Sequence, residues 1–264
     1  MNMPILYEDE SLLVADKPAG VIVNRAESVK GETIQDFIES RWKVGKVDKV
    51  DDLVPFSTFS TTSTFSTFNS RSGIVHRLDK ETSGCLIIAK TYAAFAKLQL
   101  AFKDRQVKKT YIALVHGELV PQEGEIRAPV GRLPWNRERF GVVPEGKAAV
   151  TRYFKIKNLK LNPSTTLRTG IKNYEETLSL VELYPESGRT HQLRVHLKYI
   201  NHPIVGDYLY AGRKTQRADR LWCPRVFLHA AKIEFPHPET GEMIKVESPL
   251  PKDLHQVLNN LSPQ

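Results

Sequence analysis

The chain has 264 residues, of which 41% are hydrophobic and 26% charged, and this composition excludes a wholly disordered or fibrous protein. Because no run of about 18 apolar residues and no basic-then-apolar leader is present, we predict neither a transmembrane helix nor a signal peptide, and we expect a cytoplasmic globular protein. The net charge of +8 is concentrated in residues 71–110 and 186–225, whereas residues 1–70 are acidic overall, a pattern typical of a polyanion binder.

The N-terminal third predicts two short strands and a helix, followed by an irregular stretch. ILYEDESLLVADKP indicates two strands around an acidic turn, and the apolar spacing of TIQDFIESRW predicts a helix with one buried face. Residues 43–70 are rich in Phe-Ser-Thr repeats and lack a helical period. We expect an exposed loop insertion there, with an edge strand formed through its phenylalanines as the alternative.

The remaining elements alternate between strands and a few helices. GCLIIAKT suits a buried strand, Thr91 is a predicted N-cap of the next helix, and KKTYIALVHG alternates as a strand. A second irregular stretch, 161–176, separates two strands as an enlarged hairpin tip, and the helix THQLRVHLKYI follows. The pattern predicts an α+β domain around a largely antiparallel sheet.

The segment GIVHRLDKETSG, residues 73–84, contains a candidate catalytic carboxylate. Asp79 lies between two cations that favour its ionised form, which suits a nucleophile; the alternative is a turn residue that accepts hydrogen bonds from backbone amides. An acid/base pair with Glu81 lacks an environment that would raise one pKa. A triad of Ser83, His76 and Asp79 lacks the G-x-S-x-G elbow.

Two further segments combine basic and aromatic side chains. In ESGRTHQLRVHLKYINHPIVGD, residues 186–207, arginines and a helix N-terminus suit phosphate binding, and the histidine spacing matches no zinc motif. In KKTYIALVHG, Tyr111 is either packed at the sheet surface or stacked on a base. Lys108 and Lys109 supply the charge that single-stranded nucleic-acid sites pair with aromatic rings.

Together, HRLDKETSG, KKTYIALVHG and GRTHQLRVHLKYINHPIVGD, in this order, resemble the hallmark motifs of the RluA-type RNA pseudouridine synthases. The resemblance implies a single catalytic domain over residues 1–264, with a mixed, mainly antiparallel central sheet flanked by helices and a central RNA-binding cleft. Residues 43–70 and 161–176 are then loop insertions. Since the resemblance begins at about residue 4, we expect no S4 domain before it.

The resemblance also implies roles for residues in these motifs. Asp79 matches the catalytic aspartate, Tyr111 the tyrosine that stacks on the target base, and Arg194 the basic partner of the aspartate. Arg77 matches the arginine that enters the RNA stack, and Leu193 a wall of the pocket. The predicted substrate-binding set further includes His76, Thr82, Lys109 and Arg189.

The implied reaction breaks the N1–C1′ bond of uridine, rotates the uracil and rejoins it through C5, so we expect neither a cofactor nor a metal. The expected partner is ribosomal or transfer RNA, bound by a monomer with no membrane contact and no obligate protein partner. A scaffold that binds RNA without catalysis is the rival hypothesis, and the presence of all three catalytic residue types argues against it. A glycoside hydrolase would need a second carboxylate and would release free uracil.

Overall fold

The computed structural model describes residues 3–27, 29–42, 62–161 and 177–264, which form two compact units. Unit 1 comprises Met1–Lys108 and Lys232–Ser248, and unit 2 comprises Lys109–Ala231 and Pro249–Gln264. The strand pairings described below are antiparallel, so the predicted α+β class with a mainly antiparallel sheet is confirmed. The single catalytic domain stays a prediction.

The helices in the described ranges are α1 (Ile34–Trp42), α2 (Thr62–Arg71), α3 (Tyr92–Lys103), α4 (Gln192–Tyr199), α5 (Arg213–Asp219) and α6 (Lys252–Asn259). The strands are β1 (Ile5–Glu8), β2 (Leu12–Lys17), β3 (Ser83–Ala89), β4 (Lys108–His116), β5 (Glu123–Arg127), β6 (Val130–Leu133), β7 (Asn136–Val142), β8 (Val150–Leu161), β9 (Leu178–Pro185), β10 (Leu228–Pro236), β11 (Met243–Glu247) and β12 (Leu261–Pro263). In this part of the chain, no helix is long and apolar enough to cross a membrane.

Unit 1 is built on the sheet neighbours β1, β2 and β3, and on the pairing of β11 with the last five residues of β10. All seven residues of β3 are buried, as its continuous apolar run predicts. The predicted cap of α3 is present, since the Thr91 side chain accepts a hydrogen bond from the amide of Ala94. Phe95 and Leu98 then lie on the buried face of that helix.

Residues 62–70, which the sequence assigned to a loop, form most of helix α2 instead. Phe68 is fully buried, with its ring centroid 5.4 Å from that of Phe95 and 6.0 Å from that of Tyr92. Phe65 makes a further edge-on contact with Tyr92 at 5.4 Å. Both the loop and the edge-strand interpretations are therefore wrong for residues 62–70, because the buried Phe68 and the half-buried Phe65 pack against α3 and stabilise a helix. The rest of 43–70, and 162–176, lie outside the described residues.

Unit 2 is built on the order β4, β9, β8 and β12, with β5 also paired to β8. Leu114 and Val115 of β4, Val181 of β9 and Leu197 of α4 belong to its buried core. A separate two-stranded hairpin, β6–β7, is joined to α4 through Phe140, whose ring lies 5.6 Å from that of His191. The core therefore fixes the second half of β4, against which Tyr111 packs, and the helix α4, which carries further predicted site residues.

Candidate active site

Asp79 lies in unit 1, in the loop that connects α2 to β3. The loop is held at its start by a bridge between Ile74 and Ile88, and Leu78 is 4% exposed. The amide of Thr82 donates to the carbonyl of Asp79 at 3.2 Å and closes a turn directly after it. Asp79 is half-buried, whereas Arg77 beside it is exposed. The carboxylate is therefore presented on a fixed turn, next to an accessible cation.

A buried lysine that the sequence reasoning missed anchors this turn. Lys17 is 0% exposed, at the end of β2 and opposite Gly84 of β3. Its Nζ donates to the carbonyls of Pro18 at 2.9 Å, Lys80 at 3.2 Å and Thr82 at 2.8 Å. Two of these carbonyls belong to residues just after Asp79, so the ammonium fixes the backbone that presents the carboxylate.

The predicted substrate-binding residues His76 and Thr82 make contacts within the same unit. The Nε2 atom of His76 accepts a hydrogen bond from the amide of Ile87 at 3.0 Å, and its ring lies 5.0 Å from that of Phe102. Thr82 is 3% exposed. Both side chains therefore support the loop that carries Asp79, and their contact with RNA stays a prediction.

Tyr111 and Lys109 lie in unit 2 on one face of β4, since they are two residues apart. Tyr111 is opposite Leu183 of β9 and packs, half-buried, against the core. The Nζ of Lys109 lies 3.4 Å from the carbonyl of Ser187, to which it donates, and burial lowers the pKa of Lys109 to about 8. The lysine thus connects β4 to the turn that precedes α4.

That turn is organised by the side chain of Gln192. Its Oε1 accepts hydrogen bonds from the Ser187 hydroxyl at 2.7 Å and the Arg189 amide at 3.0 Å. Its Nε2 donates to the carbonyl of Val150 at 3.0 Å. One amide near the predicted phosphate-binding helix end is therefore already bonded within the protein. The side chain of Arg189 is exposed, with Nε donating to the carbonyl of Ala148 at 3.2 Å.

Arg194, in the first turn of α4, forms a two-bond ion pair with Asp207. Its Nε donates to Oδ2 at 2.7 Å and its Nη2 to Oδ1 at 2.8 Å, and the two side chains are 6% and 0% exposed. The guanidinium carbon lies 5.0 Å from the ring centroid of Tyr210. Leu193, the predicted pocket wall, is 7% exposed and belongs to the unit 2 core.

The predicted site residues fall into two groups. His76, Arg77, Asp79 and Thr82 are together in unit 1, and the others are together in unit 2: Lys109, Tyr111, Arg189, Leu193 and Arg194. The role of Arg194 as the partner of Asp79 stays a prediction. Asp207 was not predicted as a site residue; the available signal was that it is the first acidic residue after the arginine in its motif.

The histidines of the 186–207 segment make structural hydrogen bonds. His196 pairs through Nδ1 with the Thr151 hydroxyl at 2.9 Å and through Nε2 with the Ala128 carbonyl at 3.0 Å, and burial lowers its pKa. His191 pairs with the Tyr210 hydroxyl at 2.8 Å. Within the described residues, no group of three or more His, Cys, Asp or Glu side chains is arranged to hold a metal ion.

Comparison with known proteins connects the chain to a family. The family model described as RNA pseudouridylate synthase matches residues 11–199. The chain is 35% identical over 261 residues to the uncharacterized RNA pseudouridine synthase YlyB of Bacillus subtilis, covering 99% of this chain and 73% of the relative. It is 34% identical over 269 residues to the ribosomal large subunit pseudouridine synthase D of Pseudomonas aeruginosa, covering 99% and 72%. The solved structure of human RNA pseudouridylate synthase domain containing 1 matches with a TM-score of 0.69 and 27% identity, over 100% of this chain and 89% of that one.

Proposed function

The chain belongs to the RNA pseudouridylate synthase family, an isomerase family that acts on RNA, and from this premise we propose that it converts specific uridines to pseudouridine with Asp79 as its catalytic carboxylate. The observation that carries the proposal is the turn around Asp79. Lys17 fixes the carbonyls of Lys80 and Thr82, so the backbone that carries the half-buried Asp79 is held in a defined turn, two residues after the exposed Arg77. A defined position of the catalytic group is what an attack on a single sugar carbon requires.

The reaction is an internal rearrangement of the nucleotide. The N1–C1′ bond breaks, the uracil turns, and a C5–C1′ bond forms; the proton leaves C5 and N1 ends protonated, so no electrons are gained or lost. Asp79 acts either as the nucleophile that holds the sugar or as the base and electrostatic partner of a glycal intermediate. Both routes require an ionised carboxylate on the turn.

The other predicted residues have roles in holding an extruded base. Taking a uridine out of an RNA stack costs a few kcal/mol, which stacking on an aromatic ring offsets. Tyr111 is the proposed stacking partner, Arg77 the side chain that fills the vacated place, and Arg194 the basic partner of Asp79. Lys109 lies two residues before Tyr111 on the same face of β4, and phosphate binding is its proposed role.

Ribosomal RNA is the proposed substrate, with transfer RNA as the second choice. The support for ribosomal RNA is the relative from Pseudomonas aeruginosa, whose name specifies the large ribosomal subunit and which aligns with 99% of this chain. The enzyme would act in the cytoplasm, where both RNAs are found.

Tritium release from RNA labelled at uridine C5 tests the proposal, because forming the C5–C1′ bond displaces that hydrogen. Purified protein is incubated with labelled large-subunit ribosomal RNA and with transfer RNA. We expect release from the wild type, none above background from Asp79→Asn, and near-wild-type release from Glu81→Gln, which alters the neighbouring carboxylate in the same turn.

Each alternative gives a different result. Full activity in Asp79→Asn would refute the assigned role. Free uracil as the product would indicate a glycoside hydrolase, and tight RNA binding by the wild type without tritium release from any RNA would indicate a binding protein.

A further inference from the structure

The geometry of the ion pair between Arg194 and Asp207 indicates a role in the reaction as well as in the packing of the fold. We infer that Asp207 is a positioning residue, which acts on the reaction by holding the guanidinium of Arg194 in one orientation; this inference rests on the proposed function. Asp207 itself need not touch RNA. It is 0% exposed, and its carboxylate accepts from Arg194 through both oxygens.

Hydrogen bonds from backbone amides also hold the Asp207 carboxylate, independently of Arg194. Its Oδ1 also accepts from the amides of Leu209 at 2.9 Å and Tyr210 at 3.1 Å. On the other side, Gly206 has φ +75, and its amide donates to Asp219 Oδ2 at 2.8 Å. A Cβ at Gly206 would lie 2.2 Å from the Arg225 carbonyl oxygen, so the turn requires glycine. Asp207 is therefore a preorganised acceptor.

The guanidinium of Arg194 contacts Asp207 along its edge and the ring of Tyr210 on one face. The Tyr210 ring lies 5.0 Å from the Arg194 guanidinium carbon. The Tyr210 hydroxyl in turn pairs with His191 at 2.8 Å and accepts from the amide of Phe140 at 3.1 Å. Since the edge and one face of the guanidinium are both engaged, its plane is fixed relative to α4.

This arrangement determines how Arg194 acts on a reacting group. Because Asp207 takes the Nε and Nη2 edge, the Nη1 donors are directed away from Asp207, and under the proposed function Nη1 is the group through which Arg194 acts. Because Asp207 balances the charge of Arg194, the pair acts through directed hydrogen bonds more than through a long-range field. Orientation is then the property on which catalysis depends.

Asp207→Asn tests this with little disturbance of the turn. The amide oxygen of asparagine can still accept from Leu209 and Tyr210, whereas its NH2 group faces the Nε donor of Arg194 and breaks the ion pair. We expect kcat to fall roughly 100-fold with KM nearly unchanged, the size of effect that follows from misplacing a group by about 1 Å. Asp207→Glu restores the charge and should recover part of kcat.

Asp253→Asn is the control for the loss of an arginine–aspartate pair. Asp253 pairs with Arg225 through the same two guanidinium atoms, at 2.6 and 3.3 Å, and also accepts from a backbone amide, that of Leu254. Its side chain is 41% exposed, against 0% for Asp207, so we expect wild-type kcat and a smaller loss of stability in this variant. Thermal unfolding of both variants sets a temperature at which each is folded, and kcat is compared there.

A double-variant cycle supplies the decisive comparison under single-turnover conditions. In an Arg194→Met background, Asp207→Asn should change the rate by no more than about twofold, since a residue that acts only through Arg194 has nothing left to position. Three results would overturn the inference: additive rate losses in the double variant, an unchanged kcat in Asp207→Asn, or a change in KM alone.

If Arg194→Met has no measurable rate, the inference is tested by whether Asp207→Asn lowers kcat without changing KM and whether Asp207→Glu recovers part of kcat. A wild-type protein that releases no tritium would instead refute the proposed function, and the inference with it.

Discussion

Replacing Lys17 by methionine isolates the contribution of the buried ammonium to the turn around Asp79. Methionine keeps the length of the apolar stem and removes the three donated hydrogen bonds. The carbonyl of Lys80 retains the Gly20 amide as a donor at 2.8 Å, so the Pro18 and Thr82 carbonyls bear the loss.

The magnitude follows from these two carbonyls. A buried acceptor left without a donor costs about 1–3 kcal/mol, and this applies to the Thr82 carbonyl, whose bond is buried. The bond to the Pro18 carbonyl is only part-buried, so water can replace the lost donor there. Removing the ammonium also removes the penalty for burying it. We expect Lys17→Met to lower the free energy of unfolding by about 1–3 kcal/mol.

Chemical denaturation measures this change, and kcat is measured at a temperature where the variant remains folded. Lys90→Met is the control: Lys90 donates to the Asp9 carbonyl at 2.5 Å and to Glu8 at 2.7 Å, but its side chain is 19% exposed and the surrounding water can replace it. We expect a loss below about 1 kcal/mol there. If Lys17→Met kept both the wild-type stability and the wild-type kcat, the ammonium would not be what holds the turn.

Two further predictions concern Lys109 and Phe68. Burial lowers the pKa of Lys109 from 10.5 to about 8, so between these pH values the unfolded chain binds more protons at this group and stability should rise with pH; Lys109→Met should flatten that rise in denaturation midpoints. A slope that is the same in both proteins would contradict the shift. Phe68→Ala should lower the free energy of unfolding by about 3–5 kcal/mol, because Phe68 is fully buried against Phe95 and Tyr92. A near-neutral result in calorimetry would show that α2 does not pack as described.

Local patterns predicted the elements whose stability is local. The apolar run of β3, the Thr91 cap of α3 and the strand β4 are each visible within about ten residues, and the structure contains all three. The alternation predicted for β4 is wrong, because its last four residues are all buried. Helix α2 was not predicted, because serine and threonine are weak helix formers and the segment lacks the apolar spacing of a helix. Its stabilising contacts come from Phe95 and Tyr92, which lie on another helix and are visible only in the fold.

The candidate site likewise contains residues that local sequence motifs predicted and residues that only the fold identifies. The residues predicted from motifs are those whose neighbours in sequence define them, such as Asp79 and Tyr111. Lys17 was missed because a lysine at a strand end is usually solvated, and its carbonyl partners at Lys80 and Thr82 lie more than sixty positions away. Asp207 was missed because a carboxylate thirteen positions after an arginine has no periodic relation to it.

The basic residues of the proposed site lie in two different environments. Arg194 is buried and paired with Asp207, so the pair carries no net charge, whereas Arg77 and Arg189 are exposed. In the proposed complex, exposed cations such as Arg77 and Arg189 displace counterions when RNA binds. Salt should then weaken binding through these exposed side chains while leaving the rate of the bound complex almost unchanged, because buried pairs are little screened. The proposed function thus gives affinity to the exposed Arg77 and Arg189 and chemistry to the buried Arg194, although all three residues come from the positively charged stretches of sequence.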